Sequence, residues 1–470
     1  MKQKRKDKSY QTSMFDKDGR PLLDGQNSET GKATNRVDYI SALEEQRHST
    51  GDLLTKILDY DNVNKAIKQV KSNKGSCGVD GKSIEESISW FGEHYTKLKE
   101  QILESKYQVS EVRKVEIEKE GGGKRILGIP TIQDRIIQQA IHQELSKLYD
   151  KHFSEHSYGF RKGKSAHMAI EQASEYVKEG YEWVVDIDLE KYFDSIPHDR
   201  LMQRLSKGIG DKVLLKLIRK YLEAGLMDIE GITEQRISGS PQGGPLSPLL
   251  SNIVLDELDK ELEQRGHRFC RYADDCNIYV KSEKAGERVM SSVVDYIERK
   301  LKLKVNRQKS GVRRCSEVKF LGYTILEGGG IKVSNKSIER LKKKVIKITK
   351  RNRGVKFEAI IKELNKLIVG YGNYYSLANR WLAGIRDIDG WIRRRLRSYR
   401  LKQCKRTIGL VRFLRTLGVK ENYCWNAAYW RSEGWWRKTI YLPISQAMGK
   451  SYFEENGLRS LLTTMTGKTS

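Results

Sequence analysis

The sequence predicts an α+β protein of several domains, built around short strands that carry carboxylates. Three observations lead there. Two adjacent acids, Asp274 and Asp275, sit between short strand-forming runs in Phe269-Cys-Arg-Tyr-Ala-Asp-Asp-Cys-Asn-Ile-Tyr-Val280. Amphipathic helical periodicities recur between the strand-like stretches. From Ser337 onward the chain becomes helical and strongly basic. At 470 residues the length exceeds a single ordinary core. The excess of 88 Lys+Arg over 61 Asp+Glu, a net charge of +27, points to a polyanionic partner. No apolar run is long enough to span a bilayer and no signal-peptide core is present, so a membrane partner is not expected. The six cysteines form no C-x-x-C pair and read as reduced thiols of an intracellular protein.

Residues 1–50 are polar and Lys-rich and read as a flexible extension. Leu53 to Val70 has helical spacing, and a second helix runs to about Lys106. Arg113-Lys-Val-Glu-Ile-Glu-Lys119 alternates as a strand, turns at a Gly-rich tip, and returns through Ile126–Pro130. This hairpin carries Arg113, Lys119, Lys124 and Arg125, a plausible grip for a triphosphate. Helices are expected from Asp134 to about Tyr149 and up to about Glu179.

Trp183-Val-Val-Asp-Ile-Asp-Leu189 reads as a strand with Asp186 and Asp188 on one face and Val185 and Ile187 on the other. The loop Gly239–Pro248, punctuated by Gly and Pro, contains one long amide, Gln242, and leads into a helix ending near Leu262. Because neighbours on a regular strand point apart, Asp274 and Asp275 can share a site only if they lie in or beside a tight turn. Paired anions there call for a hard divalent cation. A helix over about 286–302 and a short strand at Phe320–Ile325 follow. The basic C-terminal region interleaves Trp391, Trp425, Trp430, Trp435 and Trp436 with arginines and lysines, a composition suited to phosphate contact and base stacking.

These motifs resemble, in order, those of a reverse transcriptase: Asp188 followed five residues later by Phe193, Ser240-Pro-Gln-Gly-Gly-Pro-Leu-Ser-Pro248, Tyr272-Ala-Asp-Asp275 and Phe320-Leu-Gly322. Gly75-x-x-Gly-Val-Asp-Gly81, Arg125-x-Leu-Gly-Ile-Pro130 and His156-Ser-Tyr-Gly-Phe-Arg161 narrow the resemblance to bacterial group II intron reverse transcriptase/maturases of the compact group IIC type. The resemblance implies a right-hand polymerase with fingers and N-terminal helices over 51–180, an antiparallel-sheet palm over 181–330, a helical thumb over 331–395 and a helical, basic, DNA-binding-like domain over 396–470. It implies that Asp188, Asp274 and Asp275 bind two Mg²⁺ ions, with Mn²⁺ able to substitute, and leaves Asp186 as a supporting residue. Phe193 is then the steric gate against a ribose 2′-OH. Gln242 and Tyr272 lie beside the incoming nucleotide, and Arg113, Lys119 and Arg125 hold its triphosphate. The primer grip falls near Phe320–Tyr323. The implied partners are an RNA template, a DNA or RNA primer, dNTPs, group II intron RNA and target DNA, met in the bacterial cytoplasm at the nucleoid. With no histidine after His267, a His-Asn-His endonuclease is not expected. Two other readings share these motifs: a maturase acting mainly as a splicing cofactor, and a reverse transcriptase of a defence or CRISPR-linked system.

Overall fold

The computed structural model describes residues 50–118, 122–228, 230–236, 238–240, 242–378, 380, 382–429 and 434–467. The expected extension over 1–50 falls almost wholly outside them, as do Lys119 and Trp430. The N-terminal periodicity forms two helices, α1 (Leu53–Ile57) and α2 (Tyr60–Ser72). The break between them is the Asp59 side chain, which accepts from the Asp61 amide and starts a new helix. Ser83 and Glu86 close a capping box that opens α3 (Ile84–Leu103). Strands β1 (Val112–Glu118) and β2 (Lys124–Ile129) form the expected hairpin, and α4 (Ile132–Tyr149) follows under a Thr131 cap. Helix α5 spans Ala166–Lys178.

The central sheet contains β3 (Trp183–Ile187), β6 (Arg268–Tyr272), β7 (Asp275–Val280) and β8 (Gly311–Arg314) in the order β6-β7-β3-β8, every pairing antiparallel. Between β3 and β6 run α6 (Tyr192–Ser195), α7 (His198–Gly208), α8 (Lys212–Glu223), the short strands β4 (Leu226–Met227) and β5 (Thr233–Glu234), and α9 (Ser247–Gln264). β4 pairs in parallel with β1, tying the β1–β2 hairpin to the segment between β3 and β6. Helix α10 (Glu283–Asp295) ends in a π-helical turn, Tyr296–Leu301. It starts three residues before the sequence places it, because the Ser282 side chain accepts from the Ala285 amide.

Strand alternation divides the sheet between two cores. Val185, Ile187, Phe269, Cys276 and Ile278 point into a core shared with α1–α4 and α7–α9. Val184, Cys270 and Tyr279 point the other way, into a second core formed with α5 and the C-terminal helices. At one end of that second face the apolar residues give way to carboxylates, and this end holds the candidate site. Strands β9 (Tyr323–Ile325) and β10 (Ile331–Val333) pair with each other and lead into α11 (Asn335–Ile348), α12 (Phe357–Tyr374) and α13 (Leu382–Gln403).

The C-terminal aromatics are engaged within the chain. Arg394 sits 4.2 Å over the Trp436 ring, Lys438 lies over Trp435, and the Trp425 Nε1 donates to Glu421. One face of Trp436 and one of Trp435 are thus occupied by cations of the chain itself. None of the six cysteines is in a disulfide. Among the described residues no helix is long and apolar enough to cross a membrane.

Candidate active site

Strands β6 and β7 are joined by a two-residue turn, with Tyr272 paired to Asp275 and only Ala273 and Asp274 between them. Ala273 takes φ 59°, a left-handed conformation uncommon outside glycine. The turn lets the two adjacent acids serve one site: Asp274 projects from the turn and Asp275 opens β7. On the neighbouring strand Asp186 pairs across from Asn277, and Ile187 from Cys276. Asp188, the next residue, therefore reaches the level of Asp275. Its backbone is fixed there: the Asp188 amide donates to Ser310 Oγ at 2.9 Å, and its carbonyl accepts from the Asn306 amide.

Asp186, Asp188, Asp274 and Asp275 line one cavity of about 590 Å³, so carboxylates from two distant segments converge as expected. The same cavity is also lined by the cations Lys309, Arg313, Lys319 and Lys336 and by Glu317. Lys309 Nζ lies 3.6 Å from Asp188 Oδ2, and Arg313 Nη1 lies 3.2 Å from Asp186 Oδ2. Neither Asp274 nor Asp275 has a basic ion-pair partner among the described residues. Burial, then the neighbouring Asp186, Asp274 and Asp188, push the Asp275 carboxyl up to about 7. Burial also raises Asp274, with Asp188 adding to the shift while its own backbone and the Arg125 and Arg271 guanidinium groups oppose it. Asp186 is raised too, by burial first, against the pull of Arg313.

Asp274 and Asp275 are thus two neighbouring carboxyls without a basic ion-pair partner in a partly desolvated place. Among the described residues no three His, Cys, Asp or Glu side chains are closed into a preformed metal cage. The donor set is purely carboxylate oxygen, with no histidine or thiolate in the lining, which suits a hard divalent cation over a soft one. The residues fit such an ion, which would offset the repulsion that adds to burial in raising Asp274 and Asp275.

The other candidates, Arg113, Arg125, Phe193, Gln242 and Tyr272, do not line this cavity. Phe193 lies in α6, partly buried, its ring 5.5 Å from and edge-on to Tyr192. The Phe193 carbonyl accepts from the Ser240 amide at 2.7 Å, so the Gly/Pro loop is pinned to it. Two residues on, the Gln242 carbonyl accepts from the Gly128 amide at 2.8 Å, docking the loop on β2. Gly243 makes that docking possible: at φ 130° it sits where a Cβ would stand 2.6 Å from the Gly128 carbonyl oxygen. The β1–β2 register sets Arg113 opposite Ile129 and Arg125 opposite Ile117, and the pleat puts both arginines on one face. Arg125 is exposed and close enough for its charge to act on Asp274. Arg113 is half-buried, and its Nε has no hydrogen-bond partner. Tyr272 ends β6 with its ring 6.4 Å from Phe160. The turn Phe320–Tyr323 follows directly on the lining residues Val318 and Lys319.

Sequence reasoning did not find Lys309, Arg313 or Lys336, which no motif spacing marks. It also missed β8, the strand that fixes one side of β3.

The chain matches the family model described as "Reverse transcriptase (RNA-dependent DNA polymerase)" over residues 117–325, and that described as "Group II intron, maturase-specific domain" over 338–417. It is 32% identical over 302 residues to Protein YkfC of Escherichia coli K12, covering 56% of this chain and 79% of that protein. It is 29% identical over 357 residues to the Putative COX1/OXI3 intron 2 protein of Saccharomyces cerevisiae, covering 62% of this chain and 42% of that one. It is 29% identical over 346 residues to the Group II intron-encoded protein LtrA of Lactococcus lactis, covering 58% of this chain and 57% of that one.

Proposed function

The chain belongs to the group II intron reverse transcriptase/maturase family, and from that premise we propose that it copies RNA into cDNA and binds group II intron RNA to assist splicing and retrohoming. The observation that carries the polymerase reading is the convergence of Asp188, Asp274 and Asp275, drawn from two separate segments, on one cavity faced by basic side chains.

In this reading the three aspartates hold a pair of divalent ions, Mg²⁺ or in its place Mn²⁺. When bound, such ions lower the pKa of a primer 3′-hydroxyl and neutralise charge on the leaving pyrophosphate. The chain's own residues do the positioning. Arg125, with Arg113 and Lys119, grips the triphosphate of the incoming dNTP. Phe193 closes the space a ribose 2′-hydroxyl needs. Gln242 and Tyr272 flank the nascent base pair. The turn Phe320–Tyr323 and the cations Lys309, Lys319 and Lys336 hold the primer strand by its phosphates. Catalysis is then mainly orientation and electrostatic stabilisation.

Residues 51–180 act as N-terminal helices and fingers, 181–330 as palm, 331–395 as thumb and 396–470 as the DNA-binding-like domain. In this reading the protein works in the bacterial cytoplasm, at the nucleoid when it acts on target DNA. The deciding experiment uses an Asp274→Ala/Asp275→Ala variant, assayed for cDNA synthesis and for splicing of a group II intron RNA. Lost cDNA synthesis with retained splicing supports both activities and their separation. Unchanged cDNA synthesis would refute the site.

A further inference from the structure

Arg271 is fully buried, an unusual place for an arginine. It lies on β6 one residue before Tyr272, paired with Cys276, so its side chain points to the helix-covered face and away from the cleft. All five of its guanidinium N–H donors are used. Nε donates to Asp259 Oδ1 at 2.6 Å, and Nη2 donates to Asp259 Oδ2 at 2.5 Å and to Ser157 Oγ at 2.7 Å. Nη1 donates to Asn252 Oδ1 at 3.0 Å and to the Ala273 carbonyl at 2.8 Å. Asn252, also fully buried, donates from Nδ2 to the Gly159 carbonyl at 2.8 Å. One side chain thus ties together α9, the 157–159 loop and the carboxylate-bearing turn.

Burial alone would lower the Arg271 pKa, but Coulomb attraction and hydrogen bonding from Asp259 outweigh it. The charge therefore stays. A buried ion pair is a poor source of stability, since apolar residues of similar volume often do as well or better. What an apolar replacement cannot supply is a directional donor for the Ala273 carbonyl. That carbonyl belongs to the left-handed residue immediately before Asp274.

We infer that Arg271 is a positioning residue for nucleotidyl transfer: clamped by Asp259 and Asn252, it holds the Ala273 carbonyl and thereby fixes the turn that presents Asp274 and Asp275. This rests on the polymerase reading above and adds a residue that never touches substrate. Lysine at 271 keeps the charge but offers no planar fork, so it cannot hold Asp259, Asn252 and Ala273 together.

The test uses the full chain with Arg271→Lys, Asn252→Ala and an Asp274→Asn control, extending oligo(dT) on poly(rA). Steady-state kcat and KM for dTTP are measured beside primer–template Kd by filter binding and the thermal melt. Displacing reacting groups by about 1 Å costs on the order of 10²-fold. Arg271→Lys should therefore lose about that much kcat, with KM and Kd within about threefold of wild type. Asn252→Ala leaves the Arg271–Asp259 pair in place and should lose about tenfold with the same split. The inference is overturned if kcat stays within about twofold in both variants, or if KM and Kd worsen as much as kcat, the mark of general loosening. Should Arg271→Lys fail to melt cooperatively, Asn252→Ala decides alone. A wild-type chain no more active than the Asp274→Asn control would sink the polymerase reading, and this inference with it.

Discussion

Gly159 stands against Ala273: a Cβ built on the glycine would lie 2.4 Å from the Ala273 amide nitrogen and 3.0 Å from the Tyr272 carbonyl carbon. Both neighbours are backbone of the acidic turn, so neither can rotate away. The Gly159 backbone is not in the left-handed region, so the demand for glycine is one of space. Gly159→Ala should destabilise the fold by about 1–3 kcal/mol, as overpacking does. It should also slow extension at least tenfold, by roughly the effect of a small misplacement. Thermal melting and single-turnover extension check this, and wild-type behaviour in both would contradict the close approach.

Much of this site was readable before folding because it depends on local rules. Period-two alternation put Asp186 and Asp188 on one face, and the incompatibility of adjacent acids on a strand required the turn that Ala273 and Asp274 form. The finger hairpin followed from the alternation of Arg113, Val115 and Ile117. The proposed role of Phe193 came only from family resemblance, since nothing local marks a gate, whereas Gln242 stood out as the one long amide in its Gly-flanked loop. What stayed hidden depends on long-range assembly. β8 has four half-buried residues and no apolar alternation, and it becomes a strand by pairing with β3 more than a hundred residues earlier. Lys309 and Lys336 reach the cavity from loops and helix starts that carry no periodic signal. Arg271 reads as an ordinary basic residue near a strand end. Its burial is decided by β6 register and by Asp259 and Asn252 on α9.

Asp275→Asn should abolish activity yet stabilise the ion-free protein. Its carboxyl is held high by burial and by three neighbouring acids, and the amide removes both the repulsion and the charge. A loss of about 10²–10³-fold or more in extension is the scale of removing a transition-state electrostatic contact. The melting temperature in EDTA should rise by about 1–4 °C, as for a gain near 1 kcal/mol in a large domain. A variant that melts below wild type in EDTA would argue that Asp275 is structurally satisfied.

The same carboxyl sets a pH dependence. Its folded pKa of about 7 lies above the ordinary value of 3.8, so the folded chain holds a proton that the unfolded chain has released. Stability therefore falls as pH rises from about 4 to about 7 and levels off above. Asp274 and Asp186 shift in the same direction. Asp256, raised to about 6 chiefly by burial, adds a background slope away from the site. The wild-type minus Asp275→Asn difference in melting temperature, measured in EDTA from pH 5 to 8, isolates the site. Mg²⁺ should raise the wild-type melting temperature more at pH 8 than at pH 5.5, because binding competes with protons. Equal increments at both pH values would contradict the assignment.

Arg125 is exposed on the hairpin yet near enough to Asp274 to act on its charge. Its contact with a triphosphate would form before and persist through the transition state. Arg125→Ala should then raise KM for dNTP about tenfold or more, the worth of one charge-assisted contact, and leave kcat within about threefold. A fall in kcat with KM unchanged would place Arg125 at the reacting phosphate instead.

Phe193, proposed as the gate, is tied to its neighbours through backbone and ring. Its carbonyl is tied to the Ser240 amide, and its ring abuts Tyr192, a fully buried residue whose hydroxyl donates to the Ser251 carbonyl at 2.8 Å. A rigid ring can reject a substrate for a single added hydroxyl by steric exclusion, where a soft pocket could not. Phe193→Ala removes the ring and leaves the backbone anchor to Ser240 intact. The ratio of kcat/KM for dCTP over CTP should fall by about 10–200-fold, the range that one pocket contact commonly provides. Extension with dCTP should drop less than that, because Asp188 is fixed separately through Ser310 and Asn306. An unchanged ratio would mean that discrimination resides elsewhere, with Tyr272 and Gln242 the next residues to substitute.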